Sequence, residues 1–316
     1  MIARRALLHS AVAASVLATF AAPIRARGAS SGNVPEEIKL WPGTPPGRGK
    51  ASGPEEIGTK GASIGAVSNI SVPRMRVYRP DRPNGVAILM CGGGGYFRIQ
   101  IAKETTPVAL WLQARGFTVF DLLYRLPADG WDANVPFMDA QRAMKIIRTR
   151  APDFGVNPAR IGIMGFSAGG HLAGFTALQS GRALYDGNDR FEATSARPDF
   201  AALLFPVVSL RKPYLTRTRR YLIGETPSEA AEAAWSLDTY AAKESPPTII
   251  FVAADDPTTP PGHAITLFQA LIAKGASAEL HFFEKGGHGW GLGTPDQTLN
   301  QWPEMFQAWI TRRKFD

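Results

Sequence analysis

The sequence predicts an α/β fold with a mostly parallel sheet, and three observations lead to this class. Short apolar segments of strand length recur along the chain, and helical segments of about ten to twelve residues alternate with them. Glycines follow several strand segments, where parallel sheets place their functional loops. With 316 residues, 45% of them hydrophobic, and Cys91 as its single cysteine, the chain can build a large core without an intramolecular disulfide.

The regular pattern starts after a Gly- and Pro-rich segment that extends to about residue 66. The predicted strands are Val86–Met90, Thr118–Leu123, Ile161–Met164, Ala201–Val208, Thr248–Ala253 and Ala278–Phe283. The predicted helices are Thr106–Arg115, Asp139–Arg150 with Asp139 as its N-cap, Ala168–Leu178, Ala264–Lys274 and Pro303–Arg313. This alternation predicts βαβ units, whose functional groups gather at the carboxyl ends of the strands.

The first residues have a different character. Arg4 and Arg5 precede an Ala-rich apolar stretch that small residues follow, which is typical of a cleaved export signal on the twin-arginine route. We expect residues 1–29 to form this signal, residues 30–66 an extended arm and residues 67–316 the folded domain. A membrane anchor is the alternative, although the stretch is short for a span. The mature protein would be periplasmic or secreted, without stable membrane association.

Loss of the predicted leader also removes four arginines and lowers the net charge from +8 to +4. One dense basic run remains, from Arg211 to Arg220. Runs of this size are usually solvated faces, so we expect no nucleic-acid partner. The sequence leaves the oligomeric state open.

The strongest catalytic signal is Gly165-Phe166-Ser167-Ala168-Gly169, which matches G-x-S-x-G between a predicted strand and a predicted helix. A turn this tight exposes the serine hydroxyl at the sheet edge and permits only small flanking residues. The sequence therefore predicts that Ser167 is a nucleophile.

A serine nucleophile needs a base, and five histidines are available. His9 belongs to the leader, His171 lies on the helix after Ser167, His263 begins a helix and His281 lies within a strand. His288 sits on a Gly-flanked loop after the last strand, so it is the predicted base.

Asp255 and Asp256 follow the strand Thr248–Ala253, and either acid gives the chain order Ser, Asp, His. Asp256 is preferred because the run from Asp256 to Pro260 resembles a D-x-x-V-P acid loop. Asp255 would then hold the loop by hydrogen bonding.

The glycines after the strand Val86–Met90 predict an oxyanion hole. The N–H groups of Gly93, Gly94 and Ala168 are the expected donors, since glycine lets the backbone approach a substrate closely. Tyr96 and Trp290 are candidates for stacking on a sugar ring, with core packing as the alternative.

Several motifs in this order resemble the acetyl-esterase branch of the α/β-hydrolases, which includes xylan acetyl esterases and feruloyl-acetyl esterases. They are IKLWPG at 38–43, CGGGGY at 91–96, KETTPVALWLQARG at 103–116, YRLP at 124–127, DAQRA at 139–143, RIGIMGFSAGGHL at 160–172 and EKGGHG at 284–289. The resemblance implies an α/β-hydrolase fold with an eight-stranded, mostly parallel sheet, helices on both faces, and neither metal nor organic cofactor. Gly92 stands where relatives carry His or Pro.

Together these features predict a secreted serine esterase that removes short acyl groups, acetyl above all, from carbohydrate. The segment of about forty residues between the strands Ala201–Val208 and Thr248–Ala253 is too short for a large lipase cap. A secreted serine peptidase of the prolyl-oligopeptidase type and a non-catalytic binding protein on the same scaffold are the alternatives.

Overall fold

The computed structural model describes residues 35–187 and 189–315, so the predicted export signal lies outside the described residues. The strands are β1 (Glu36–Lys39), β2 (Glu56–Ile57), β3 (Val67–Ser68), β4 (Arg74–Tyr78), β5 (Ala87–Cys91), β6 (Thr118–Leu123), β7 (Ile161–Phe166), β8 (Phe200–Leu204), β9 (Thr248–Ala253) and β10 (Ala278–Phe283). The α-helices are α1 (Thr106–Gln113), α2 (Val135–Thr149), α3 (Ser167–Leu178), α4 (Arg217–Ile223), α5 (Glu229–Ala234), α6 (Gly262–Ala273) and α7 (Trp302–Arg312). A π-helical turn, Ile101–Thr105, precedes α1, and 3₁₀ turns cover Gly61–Ser63, Pro127–Asp129, Ala151–Phe154, Leu237–Tyr240 and Thr298–Gln301.

Eight strands form the main sheet in the order β1-β4-β6-β5-β7-β8-β9-β10. The pairs from β6 to β10 are parallel, whereas β4 runs antiparallel to both of its neighbours. This arrangement confirms the predicted mostly parallel sheet. Three predicted strands, β6, β9 and β10, have the bounds expected from the sequence.

Both faces of the sheet are covered, and each face has its own apolar cluster. Residues Leu89, Ile163 and Leu203 of the central strands pack with α2, α3 and α6 on one face. Their alternating neighbours, including Ile88 and Met164, pack with α1 and α7 on the other face. Burial on both faces explains why the central strands are continuous apolar segments rather than alternating ones.

Two predicted elements differ from the observed ones by four residues at one end, whereas the other differences are of one or two residues. Helix α2 starts at Val135, not at Asp139, and Pro136 occupies its first turn, where the missing N–H costs nothing. Asp139 is therefore no N-cap, and it lies fully buried inside the helix. Strand β8 ends at Leu204 rather than Val208, because Phe205 has a positive φ of 37° and Pro206 cannot donate to the ladder.

Part of the segment predicted as an extended arm, residues 30–66, is a strand of the main sheet. Its strand β1 pairs with β4 at the sheet edge, and Ile38 and Leu40 are buried in the core. The segment between β8 and β9 carries only the short helices α4 and α5 as a small cap. In α4 the basic run is not a simple solvated face, since Arg219 is 5% exposed and pairs with Glu232 at 2.8 Å.

Among the described residues, no helix is both long enough and apolar enough to cross a bilayer.

A buried ion pair ties α2 to the loop after β6. Asp139 accepts hydrogen bonds from Arg125 Nε at 2.9 Å and Arg125 Nη2 at 2.7 Å, and both side chains are 0% exposed. Trp41 Nε1 donates to the same carboxylate at 3.0 Å, so the pair also holds the segment that follows β1.

Asp139→Asn is expected to lower the free energy of unfolding by about 3–5 kcal/mol, because it leaves the buried Arg125 charge uncompensated. Urea denaturation measures the change. The matched control is Asp132→Asn, whose partner Arg48 is 92% exposed, and it is expected to cost less than about 1 kcal/mol. Equal effects of the two variants would contradict the role assigned to the buried pair.

Candidate active site

Ser167 lies at the junction of β7 and α3 with a φ of 52°, in the left-handed region. The neighbouring glycines are required by close backbone contacts. A Cβ on Gly165 would lie 2.1 Å from the Gly169 carbonyl oxygen, and one on Gly169 would lie 2.1 Å from that of Cys91. The G-x-S-x-G sequence therefore makes a strand-to-helix turn that only glycine permits at these two positions.

The structure brings the three residues predicted as a triad into one hydrogen-bonded chain. Ser167 Oγ lies 2.9 Å from His288 Nε2, and His288 Nδ1 lies 2.7 Å from Asp256 Oδ2. A carboxylate can only accept, so the Nδ1–H donates to Asp256 and Nε2 is left to accept from the serine hydroxyl. This geometry gives Ser167 a base and gives the base a partner.

The loop after β9 holds Asp256 by its own backbone. Asp256 Oδ1 accepts from the N–H groups of Thr258 at 2.8 Å and Thr259 at 2.9 Å, and its side chain is buried. Thr259 Oγ lies 2.9 Å from Asp256 Oδ2 and 3.2 Å from His288 Nδ1. No sequence motif points to Thr259, because a Thr in a turn carries no signal of its own.

Asp255 and His171 bond to groups other than Ser167 and His288. Asp255 accepts a hydrogen bond from the Gly287 N–H at 2.8 Å and so holds the loop that carries His288. His171 Nδ1 lies 3.0 Å from the Tyr96 hydroxyl and its Nε2 2.7 Å from the Trp235 carbonyl oxygen. Burial lowers the pKa of His171 to about 4, so it stays neutral.

The glycine loop after β5 comes close to the nucleophile, since a Cβ on Gly93 would lie 3.0 Å from Ser167 Cβ. Gly94 and Gly95 have φ values of 127° and 64°, which glycine adopts without strain. The Gly93 N–H donates to Glu104 Oε2 at 2.7 Å. The Gly93 N–H is therefore not free to bind an oxyanion, contrary to the prediction. The N–H groups of Gly94 and Ala168, the other predicted donors, donate to no other group within the described residues.

Glu104 is a residue of this site that the sequence analysis missed. It belongs to the π-helical turn before α1 and is 3% exposed. Burial, as the largest cause, raises the pKa of Glu104 to about 7, while the Gly93 hydrogen bond and the charge of His288 act in the opposite direction. An acidic residue before a helix usually indicates a favourable helix dipole contact, so the sequence offered no separate signal.

A cleft of about 870 Å³ opens onto Ser167 and His288. Its wall includes Phe97, Val207 and Leu215.

Tyr96 is 0% exposed and bonded to His171, so it cannot stack on a sugar as predicted. Trp290 is half-buried, and its ring packs on Phe205 at 4.7 Å between centroids, which favours the packing alternative. Sequence position alone could not distinguish a ring facing the cleft from one facing the core.

Among residues 35–187 and 189–315, no group of three or more His, Cys, Asp or Glu side chains is arranged to hold a metal ion. Cys91 is buried at the end of β5, and burial raises the pKa of its thiol far above the usual range.

A sequence profile of the BD-FAE family matches residues 75–271. The chain belongs to the BD-FAE family. This chain is 30% identical over 227 residues to an acetylxylan esterase of Xylanibacter ruminicola, a match that covers 70% of this chain and 44% of that protein. It is 27% identical to an ethyl acetate hydrolase of Pseudomonas putida, over 63% of this chain and 66% of that protein.

This BD-FAE chain thus spans less than half the length of the acetylxylan esterase. Among solved structures, an acetyl ester-xyloside bifunctional hydrolase from Caldicellulosiruptor lactoaceticus matches with a TM-score of 0.75 and 30% identity, over 90% of this chain and 99% of that one. Esterase 2 of Thermogutta terrifontis matches with a TM-score of 0.66 and 24% identity, over 87% and 97%, and supports the fold alone. The fold is that of the α/β-hydrolases, as the sequence predicted.

Glu104→Gln is expected to make stability less sensitive to pH. A raised pKa means that the folded parent holds a proton that the unfolded chain releases, so the parent loses stability as pH rises from about 4.5 through 7. Between pH 5 and pH 8 the variant should gain roughly 2–3 kcal/mol of unfolding free energy relative to the parent.

Urea denaturation of parent and variant at both pH values measures this difference. Glu36→Gln, on the exposed ion pair with Arg79, is the control and should show little pH-dependent gain. If the difference in unfolding free energy between Glu104→Gln and the parent is the same at both pH values, the raised pKa of the buried Glu104 carboxyl is contradicted.

Proposed function

We propose that this protein is a secreted serine carboxylic ester hydrolase that removes short acyl groups, acetyl above all, from carbohydrate. The observation that carries this proposal is the chain of contacts from Ser167 Oγ through the His288 imidazole to Asp256, at 2.9 and 2.7 Å. The names of the matched relatives, which include an acetylxylan esterase and an ethyl acetate hydrolase, support the ester as the bond that is cleaved.

In the first half-reaction, His288 Nε2 accepts the Ser167 hydroxyl proton as Oγ attacks the ester carbonyl carbon. The carbonyl electrons move to the oxygen, which is held by the N–H groups of Gly94 and Ala168. The first N–H groups of α3 have no partner within the helix, so they are available to an anion. Each such donor typically contributes about 2.7–4 kcal/mol to stabilisation of the transition state.

Collapse of this intermediate breaks the bond to the alcohol, and His288 gives that alcohol its proton. Asp256 stabilises the imidazolium during both transfers and keeps Nδ1 protonated. Water then attacks the acyl-serine with His288 again as base, and the acid leaves. Glu104 acts indirectly, because its bond to the Gly93 N–H holds the glycine loop against Ser167.

The cleft favours a small acyl group. Helices α4 and α5 have seven and six residues, so the cap offers little apolar surface to an alkyl chain. The cleft wall also carries charged side chains, including Arg98, Lys103 and Glu104, and a long alkyl chain that displaced their water would leave them poorly solvated.

Export through the predicted twin-arginine signal at residues 1–29 belongs to the same proposal, since acylated plant polysaccharide is met outside the cytoplasm. Arg4 and Arg5 in the leader support this route.

Ser167→Ala and Asp256→Asn are each expected to lower kcat for p-nitrophenyl acetate by about 10⁴-fold or more, because the first removes the nucleophile and the second leaves the imidazole unoriented. Asp255→Asn is the matched control, since Asp255 contacts the Gly287 N–H and not the imidazole, and it should cost less than about tenfold. Hydrolysis by Ser167→Ala at the parental rate would refute the assignment.

The acyl preference is expected to fall with chain length, with kcat/KM for p-nitrophenyl octanoate at least about tenfold below that for the acetate ester. Release of acetate from acetylated xylo-oligosaccharides, measured directly, tests the carbohydrate part of the proposal. A preference for octanoate would contradict the small-acyl preference inferred from the short cap helices and the charged cleft wall.

A further inference from the structure

The wall of the cleft beside Ser167 carries positive charge that no ion pair neutralises within the described residues. Arg98, Lys103 and Arg217 all line the cleft, and none of them forms a salt bridge with an acidic side chain in residues 35–187 or 189–315. The neighbouring arginines of α4 differ. Arg219 pairs with Glu232, and Arg220 pairs with Glu225.

Two of these cations contact the same aromatic ring. The guanidinium carbons of Arg98 and Arg217 lie 4.9 and 5.1 Å from the centroid of the Phe97 ring. Burial, followed by the charge of Arg217, lowers the pKa of Arg98. Arg98 Nε is also buried without a hydrogen-bond partner in the described part of the chain. Like charges and an unsatisfied buried donor both cost free energy, and a bound anion would recover it.

The pair lies next to the candidate oxyanion loop. Arg98 Cγ is 3.0 Å from the position that a Cβ on Gly94 would take, and Arg217 Cβ is 3.2 Å from the corresponding position on Gly95. The stems of both arginines are therefore anchored beside this loop, and both residues line the cleft that includes Ser167.

Glu104 favours the charged form of Arg98 but forms no salt bridge with either arginine in the described residues. It is the acidic side chain that lines the cleft, but its carboxyl accepts from the Gly93 N–H rather than from either arginine. Its raised pKa, about 7, means that near neutral pH it is partly protonated. The cleft thus keeps a net positive field at the entrance to the nucleophile.

We propose that the preferred substrate is an ester that also carries a carboxylate, which Arg98 and Arg217 bind while Ser167 attacks the acyl carbonyl. This inference rests on the proposed esterase function and specifies its substrate class. A planar guanidinium binds a carboxylate through two parallel hydrogen bonds, which suits an acidic sugar better than a neutral one. The carboxylate can belong to the alcohol, as in an acetylated uronic acid, or to the acid, as in a half-ester of a dicarboxylic acid.

The test compares pairs of esters that differ only in the charge. On the alcohol side, the pair is mono-O-acetylated methyl glucuronoside and methyl glucoside, with acetate release measured. On the acid side, the pair is the p-nitrophenyl monoester of succinic acid and p-nitrophenyl butyrate. In at least one pair, kcat/KM for the anionic ester should exceed that for the neutral ester by about tenfold at 10 mM salt, and this ratio should fall at 300 mM salt.

Arg98→Gln and Arg217→Gln should each lower that ratio by about three- to tenfold, because each removes one charge that contacts the carboxylate. Arg220→Gln is the matched control. It removes the same charge from the same helix α4, but Arg220 pairs with Glu225 outside the cleft, so the ratio should stay within about twofold of the parental value.

Competition gives a second readout that does not depend on the folding of a variant. Free glucuronate should inhibit hydrolysis of p-nitrophenyl acetate by the parent at concentrations where glucose does not.

Equal kcat/KM values within both pairs, together with no inhibition by glucuronate, would overturn the proposal. If acetate is still released from the neutral glucoside, the proposed esterase function is retained. Failure of the carboxylate proposal can thus be distinguished from failure of the esterase proposal. The proposal would also be overturned if Arg220→Gln lowered the anionic-to-neutral ratio of kcat/KM as much as Arg98→Gln and Arg217→Gln do. A general effect of net charge would then explain the preference.

Discussion

The left-handed backbone of Ser167 is the constraint on which the rest of the site depends. A non-glycine residue held at this φ typically costs about 1–3 kcal/mol, and here the surrounding contacts hold it. Gly165 and Gly169 let α3 approach the end of β5 so closely that neither position has room for a methyl group. The serine hydroxyl is thereby placed above the sheet edge, where the loops after β5, β9 and β10 converge.

Each of those loops is held by a polar contact of its own. The glycine loop after β5 is held by Glu104 through the Gly93 N–H, and the acid loop after β9 is held by the amides of Thr258 and Thr259 on Asp256. The loop after β10 is held by Asp255 through the Gly287 N–H. Carboxylates therefore position the backbone around the nucleophile in all three places, and Asp256 also contacts the imidazole. Such fixed dipoles need little reorganisation when charge develops, which is the basis of electrostatic catalysis.

Charged side chains in the core form ion pairs, whereas two arginines of the cleft do not within the part of the chain that the structure describes. In the core, Arg125 and Asp139 satisfy each other and stabilise the fold. In the cleft, burial and the charge of Arg217 lower the pKa of Arg98, and neither arginine forms a salt bridge in the described residues. The anionic ester that we propose would supply the opposite charge.

The sequence by itself determined the fold class, and it predicted Ser167 as a nucleophile and the chain order Ser, Asp, His. These features are local, because strand and helix periods, the G-x-S-x-G turn and the position of a loop after a strand all depend on neighbouring residues. The family resemblance was equally visible, since its motifs occur in chain order.

The tertiary structure alone decided which side chains face one another. Asp256 rather than Asp255 reaches His288, because the turn at Thr258 and Thr259 directs one carboxyl inward. Tyr96, predicted to stack on a sugar, is buried in the core, and Glu104, for which the sequence carried no signal, lies buried at the cleft. Gly93 donates to a buried carboxyl that lies 11 residues away in the chain. Contacts between distant segments depend on how the helices pack over the sheet, and no local pattern encodes them.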